Sequence, residues 1–135
     1  MIYEATVTYK GPDNKGNEKL FKEQYVISDA ELFAEVETKM QEMFSGYDTP
    51  DVVAISRSKI TEIANSRTSD EEVLWLSELL HVVLEDDGTE KEIKYKVLFY
   101  STTYEKATAF ISAYAKQGYD MEIVSTKKTR FIDVL

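Results

Sequence analysis

Four basic side chains interrupt segments that otherwise read as buried strands. Arg57 and Lys59 fall within Val52-Val53-Ala54-Ile55-Ser56-Arg57-Ser58-Lys59-Ile60-Thr61-Glu62-Ile63, and Lys128 and Arg130 within Ile123-Val124-Ser125-Thr126-Lys127-Lys128-Thr129-Arg130-Phe131-Ile132-Asp133-Val134. Residues two apart on a strand project from one face, so each pair lines up with apolar positions: Val53 and Ile63 in the first segment, Val124 and Val134 in the second. Two explanations fit charges in such a place. The strand bends near Ser56–Ser58 and near Lys127–Thr129, letting each pair reach water or the protein's own carboxylates. Alternatively, the pairs form an anion site: the cations meet phosphate oxygens, the hydroxyls of Ser56, Ser58, Thr126 and Thr129 donate beside them, and a tyrosine or Trp75 stacks on a base. Arg57, Lys59, Lys128, Arg130, Ser58 and Thr129 are the candidate ligand-binding residues.

Other chemistries lack their parts. With one histidine and no cysteine, the usual zinc sites and thiol reactions cannot be assembled within the chain. Glu85-Asp86-Asp87-Gly88-Thr89-Glu90 is acidic but has neither the alternating ligands nor the distal glutamate of a calcium loop, and it reads as a solvated hairpin turn. The five glycines are scattered at turns and form no nucleophile elbow, phosphate loop or dinucleotide fingerprint. His81 lies inside an apolar run and reads as structural. Carboxylates such as Glu31, Glu35 and Glu42 sit on or beside a polar helix face, where nothing would shift their pKa for acid–base work. Tyr3, Tyr9, Tyr25, Tyr95 and Tyr100 fall in strands, where aromatic rings fit a half-buried pleated surface, although strand aromatics can also stack on bases. The chain is therefore read as not an enzyme, with no cofactor and no metal.

The segments carrying the basic pairs belong to a longer repetition. Residues 30–64 align with 101–135 at an offset of 71, Val52 falling on Ile123, apart from a one-residue shift around a shared Gly-Tyr-Asp. Upstream in each copy lies an amphipathic helix: Phe33, Val36, Met40, Met43 and Phe44 fall on Tyr104, Ala107, Ile111, Tyr114 and Ala115, at spacings of three and four. Ser28-Asp29-Ala30-Glu31 and Thr102-Thr103-Tyr104-Glu105 predict capping boxes, and Gly46 and Gly118 predict left-handed helix ends. Each helix follows a pair of strands. Ile2–Lys10 and Lys19–Ile27 flank a loop of turn formers, and Val73–Glu85 and Ile93–Tyr100 flank Asp86-Asp87-Gly88-Thr89. Ser69-Asp70-Glu71-Glu72 could also cap a short helix through Leu80. A strand is preferred, because the run ends in His81-Val82-Val83-Leu84 and fills the first-strand slot.

At 135 residues the chain is expected to be one domain with a shared core: repeat one over 1–64, a polar connection over 65–70, repeat two over 71–135. The expected fold is α+β, two tandem ββαβ units forming an antiparallel-rich sheet with the helices on one face and an approximate internal two-fold. Net charge is −9 and evenly spread, which repels nucleic-acid phosphates and disfavours duplex binding. No apolar run approaches a membrane span, Met1-Ile2-Tyr3-Glu4 leads directly into a strand with no signal peptide, and cysteine is absent, so a cytoplasmic protein is expected.

The hairpin ending Glu23-Gln24-Tyr25-Val26-Ile27-Ser28, the Ala-Glu-rich helix after it, Ser58-Lys59-Ile60-Thr61-Glu62-Ile63, Trp75 at the start of the second half and the terminal Phe131-Ile132-Asp133-Val134 together resemble a family of short proteins. That family is catalogued as domain of unknown function 4494 and occurs in Bacteroidetes, their phages and mobile elements. The resemblance covers nearly the whole chain. It implies a phage or mobile-element protein that binds rather than catalyses, and it supplies no active site.

Three functions are consistent with these features. One is capture of a small phosphate-bearing ligand, of nucleotide type, by the paired basic strands. A second is an adaptor or inhibitor docking on a host protein through an exposed sheet edge or apolar patch. The third, disfavoured by charge, is binding of single-stranded nucleic acid. Unprotected sheet edges also make a homo-oligomer expected.

Overall fold

A computed structural model describes residues 1–117 and 120–135. Along the chain run β1 (Tyr3–Pro12), β2 (Glu18–Ile27), α1 (Phe33–Met43), β3 (Asp48–Arg57), β4 (Glu62–Ile63), β5 (Val73–Leu84), β6 (Glu90–Ser101), α2 (Tyr104–Ala115), β7 (Glu122–Lys128) and β8 (Phe131–Val134). The fold is α+β. The strands form two four-stranded mixed sheets, ordered β3-β1-β2-β8 and β4-β6-β5-β7, where one sheet was expected. Two compact units result: Met1–Ser58 with Phe131–Leu135, and Lys59–Arg130.

In the first unit, Tyr3, Ala5 and Val7 alternate with half-buried Glu4, Thr6 and Thr8, the period of a strand with one face in a core. β1 and β2 pair antiparallel without a break from Tyr3 opposite Ile27 to Pro12 opposite Glu18. Their loop is held by Asp13, whose Oδ1 accepts the N–H groups of Lys15 and Asn17 at 2.8 Å each, with Gly16 at φ +80°. Val36 and Met40 of α1, with Phe44 just beyond it, pack on Tyr3, Val7, Tyr25 and Ile27. Full burial of side chains of this size stabilises by about 1.5–3 kcal/mol each.

In the second unit, β5 and β6 pair over their full length around Gly88, whose φ of +86° supplies the expected Asp-Gly turn. The strand preferred over a helix at the start of this hairpin is present as β5. Ala107, Ile111 and Ala115 of α2 pack on Trp75, Leu79, Val97 and Phe99. The connection after β4 is also structured. Asn65 acts as a strand residue through its side chain: Nδ2 donates to the Tyr100 carbonyl at 3.0 Å and Oδ1 accepts the Tyr100 N–H at 2.7 Å.

Several local expectations are corrected. The α1 N-cap is Leu32, in extended geometry and without a side-chain hydrogen bond, so Ser28 caps nothing. The Tyr3 hydroxyl donates to the Glu31 carbonyl at 2.9 Å and Ala30 is buried, which keeps this segment extended until Leu32; Glu35 Oε2 reaches back to the Glu31 N–H at 3.1 Å. At α2 the cap is Thr103, one residue later than expected, its hydroxyl accepting the Lys106 N–H at 3.2 Å. Gly46 is not left-handed. Phe44 closes α1, and the positive φ, 49°, falls on Thr49, whose Oγ1 donates to Asp48 Oδ1. Gly118 lies outside the described residues.

The largest correction concerns the segments over 52–64 and 123–134. Neither is one strand. β3 ends at Arg57 in the first sheet and β4 pairs parallel with β6 in the second; β7 ends at Lys128 in the second sheet and β8 pairs parallel with β2 in the first. Each sheet is completed by a strand from the other half of the sequence. Connectivity explains why. The open position beside β2 needs a strand parallel to it, and therefore also parallel to β3, since both run antiparallel to β1. Reaching it from β3 requires a crossover of a dozen or more residues, whereas only residues 58–61 lie between β3 and β4.

Candidate functional site

The two basic pairs mark these crossovers. Arg57 is the last residue of β3, opposite Tyr3, and its guanidinium lies 6.0 Å from the Phe33 ring centroid. The next residue, Ser58, is half-buried and gives its N–H to the Ile2 carbonyl at 2.9 Å. Lys128 ends β7 opposite Trp75; Thr129 then donates both its N–H and its hydroxyl to the Leu74 carbonyl, each at 2.9 Å. Arg57, Lys59, Lys128 and Arg130 are all exposed. The apolar parity breaks because the strands end there, not because charges point into a core.

Convergence of the candidate residues is limited. Arg57 and Ser58 belong to the first unit, and Lys59, Lys128, Thr129 and Arg130 to the second. Within the second unit, Lys59 leads into β4 and Lys128 ends β7, the two opposite edges of the sheet. Three strand spacings, about 14 Å, separate such edges. Two proposed hydroxyl donors are engaged structurally: Thr129 as above, and Thr126, whose Oγ1 bonds the buried Ser77 hydroxyl at 2.8 Å. Lys127, Lys128 and Arg130 remain as a short run of exposed cations at the end of an edge strand.

Edge strand β7 is the more open of the two long edges. β7 pairs on one side with β5 and on the other with no strand among the described residues. Its Ile123 and Val124 are exposed, Val124 at 55 %. β3, the long edge of the first sheet, carries Pro50, and its pairing to β1 is interrupted twice. Proline and bulges spoil an edge for further pairing, and β7 has one irregularity and no proline.

A second feature escaped the sequence reading. In the first unit Glu23 receives two phenols: Tyr9 donates to Oε1 at 2.6 Å and Tyr25 to Oε2 at 2.5 Å. The register creates this contact, because small Ala5 and Val7 face Tyr25 and Glu23 across the β1–β2 pair. The Glu23 hydrogen bond first, then burial and the Glu23 charge, push the Tyr9 phenol up to about 12. Tyr25 is pushed up further, mainly by burial and then by the same hydrogen bond. Tyr9 also stacks on Phe21 at 5.5 Å and meets Tyr47 edge-on at 4.7 Å. The available signal was parity: Phe21, Glu23, Tyr25 and Ile27 share one strand face, leaving a carboxylate in an aromatic row.

The second unit has a related arrangement at an open cleft of about 340 Å³, lined by Glu62, Tyr95, Tyr114, Gln117 and Met121. Tyr114, in the last turn of α2, donates to Glu62 Oε2 on β4. Burial, then the Glu62 hydrogen bond and charge, push the Tyr114 phenol up to about 12. Among the described residues no three His, Cys, Asp or Glu side chains stand together as metal ligands, and no helix is long and apolar enough to cross a membrane.

Fold and surface define a small α+β protein built from two mixed sheets, each backed by one helix. The family described as Domain of unknown function (DUF4494) matches residues 1–135, and the chain belongs to it. No curated protein matches the chain.

Proposed function

We propose that the protein is a non-catalytic binder that engages another protein by strand addition at β7. The observation that carries this reading is the combination on one open edge of exposed Ile123 and Val124 with the terminal cations Lys127 and Lys128. Strand addition draws affinity from main-chain hydrogen bonds and specificity from alternate side chains. On a chain of net charge −9, a cationic edge selects an extended segment carrying carboxylates. A second copy of the chain meeting this edge would give a homo-oligomer, the other outcome expected of an open strand. The strand orders β3-β1-β2-β8 and β7-β5-β6-β4 support reading the units as duplicates of one ββαβ element with exchanged final strands. A phage or mobile-element source and a cytoplasmic setting accompany this reading.

A second reading, capture of a small phosphate-bearing ligand, is favoured by the exposed side chains of Lys128 and Arg130 and by the absence of ion-pair partners for both among the described residues. One experiment separates the two. The partner recovered from native host lysate should be stoichiometric, bind wild type, and be lost by V124D with K127E while the melting temperature stays within about 2 °C, as expected for surface substitutions. Retention by that variant refutes docking at β7. Recovery of a phosphate compound lost only by K128A with R130A favours the ligand reading instead.

A further inference from the structure

The cleft beside Glu62 is lined from β4, β6, α2 and the residue before β7, and the docking reading uses none of these side chains. Its lining is specific in charge. Glu62 is the sole ionised group among Glu62, Tyr95, Tyr114, Gln117 and Met121; the others offer two aromatic rings, a thioether and a side-chain amide. One carboxylate oxygen of Glu62 accepts the Tyr114 phenol, and the second has no partner among the described residues. The first unit provides an internal contrast. There each oxygen of Glu23 already accepts a phenol, from Tyr9 and from Tyr25. In the second unit the carboxylate is half-satisfied and faces an open space of about 340 Å³, within the size range of small-molecule sites.

A carboxylate with a free oxygen beside tyrosine rings is complementary to a positive charge carried on carbon. An inorganic cation would keep its water here, because a single carboxylate offers too few oxygens. An anion would meet Glu62 with no compensating cation among the described lining residues. An organic ammonium satisfies both features: its charge pairs with the free oxygen, and its carbon substituents lie on the faces of Tyr95 and Tyr114 and against Met121. We infer that this cleft binds an alkylammonium group, presented either by a free amine or by a lysine side chain of another polypeptide.

The test uses the full chain and NMR of backbone amides, with butylammonium, tetramethylammonium, Nα-acetyl-lysine methylamide and neutral butanol as probes. Ammonium probes should shift the amides of Glu62, Tyr95, Tyr114 and Met121 saturably, whereas butanol should not. Glu62→Gln keeps shape and exposed position but removes the charge, and should weaken binding by about tenfold or more. Tyr114→Phe keeps the ring and frees the second oxygen, so it should bind at least as tightly as wild type. If only the lysine analogue saturates, the source is a polypeptide; if simple amines bind equally well, it is a free amine. Equal binding of butanol and butylammonium, full affinity in Glu62→Gln, or no saturable shift with any ammonium probe overturns the inference.

Discussion

Replacing Glu23 with alanine tests whether the shared carboxylate holds the first unit together. Tyr25 is 5 % exposed, so without Glu23 its hydroxyl has no acceptor and little access to water. A hydrogen bond to a charged acceptor contributes about 1.5–3 kcal/mol, and a buried polar group left unpaired costs about 1–3 kcal/mol. Tyr9 is only half-buried and regains water, so its loss is smaller, about 0.5–1 kcal/mol. Removing the half-buried carboxylate also relieves some desolvation, offsetting about 1 kcal/mol. The expected net cost for E23A is therefore about 2 kcal/mol at neutral pH, a fall in Tm of roughly 8 °C for a chain of this size. Tyr25→Phe should cost about 1 kcal/mol, and the double variant should show a coupling energy of about 1.5 kcal/mol. Urea unfolding, with hydrogen exchange at β1 and β2 amides to localise the effect, supplies all three numbers. A cost for E23A below about 0.5 kcal/mol, or additivity of the two changes, would refute the reasoning.

Further outcomes concern the tyrosine–carboxylate contacts of both units and the pairing of β8. Tyr9 and Tyr114 titrate near 12 in the folded chain against 10 when unexposed to these partners, and Tyr25 is raised as well. Below pH 10 their contribution is complete; from pH 10 to about 12 the unfolded chain releases these protons first, so stability should fall across that window, by on the order of 1 kcal/mol after solvent screening. Tyrosinate absorbance should show the same phenols ionising late in the native protein, and E23A should bring those of Tyr9 and Tyr25 back towards 10; three phenols titrating together at 10 would contradict this. Deleting residues 131–135 removes the parallel pairing of β8 at Gln24, Tyr25 and Val26, and with it the bond from the Leu135 N–H to the Val26 carbonyl at 2.7 Å. Hydrogen exchange should then accelerate at the β2 amides while β5 and β6, which contain none of these contacts, keep their protection; unchanged β2 exchange would show that β8 contributes nothing there.

Most of the elements were legible because their signals are local. Alternation in Tyr3, Ala5 and Val7, the three–four stripe of Val36, Met40 and Phe44, and the Asp-Gly turn at Gly88 each depend on a few neighbouring residues. Which sheet a strand joins depends on residues far away. Ile60–Ile63 and Phe131–Val134 are the same short mixed runs whether they extend β3 and β7 or pair in another sheet, so the change of sheet leaves no local trace beyond the basic pair at each break. The helix starts were misplaced because hydroxyl-and-glutamate patterns recur wherever polar loops meet helices. Tertiary contacts, the Tyr3–Glu31 bond at α1 for one, select which of them acts. The candidate cations are exposed where their strands end, and their grouping could not be read without the sheet order. Among the 25 acidic residues Glu23 is marked only by its parity with Phe21 and Tyr25, and Glu62 by nothing local, because its partner Tyr114 lies on α2.

The pairing of β8 with β2 also bears on synthesis. A ribosome delivers β2 long before its parallel neighbour: 104 residues, from Ile27 to Phe131, must still be made. At cellular elongation rates that interval is about 5–20 s. Throughout it, the outer edge of β2 at Gln24–Val26 stands unpaired, open to any chaperone or strand that meets it. A chain stalled before residue 131 would keep that edge exposed indefinitely, so a late-translated strand is the one that conceals an early-made surface from quality control.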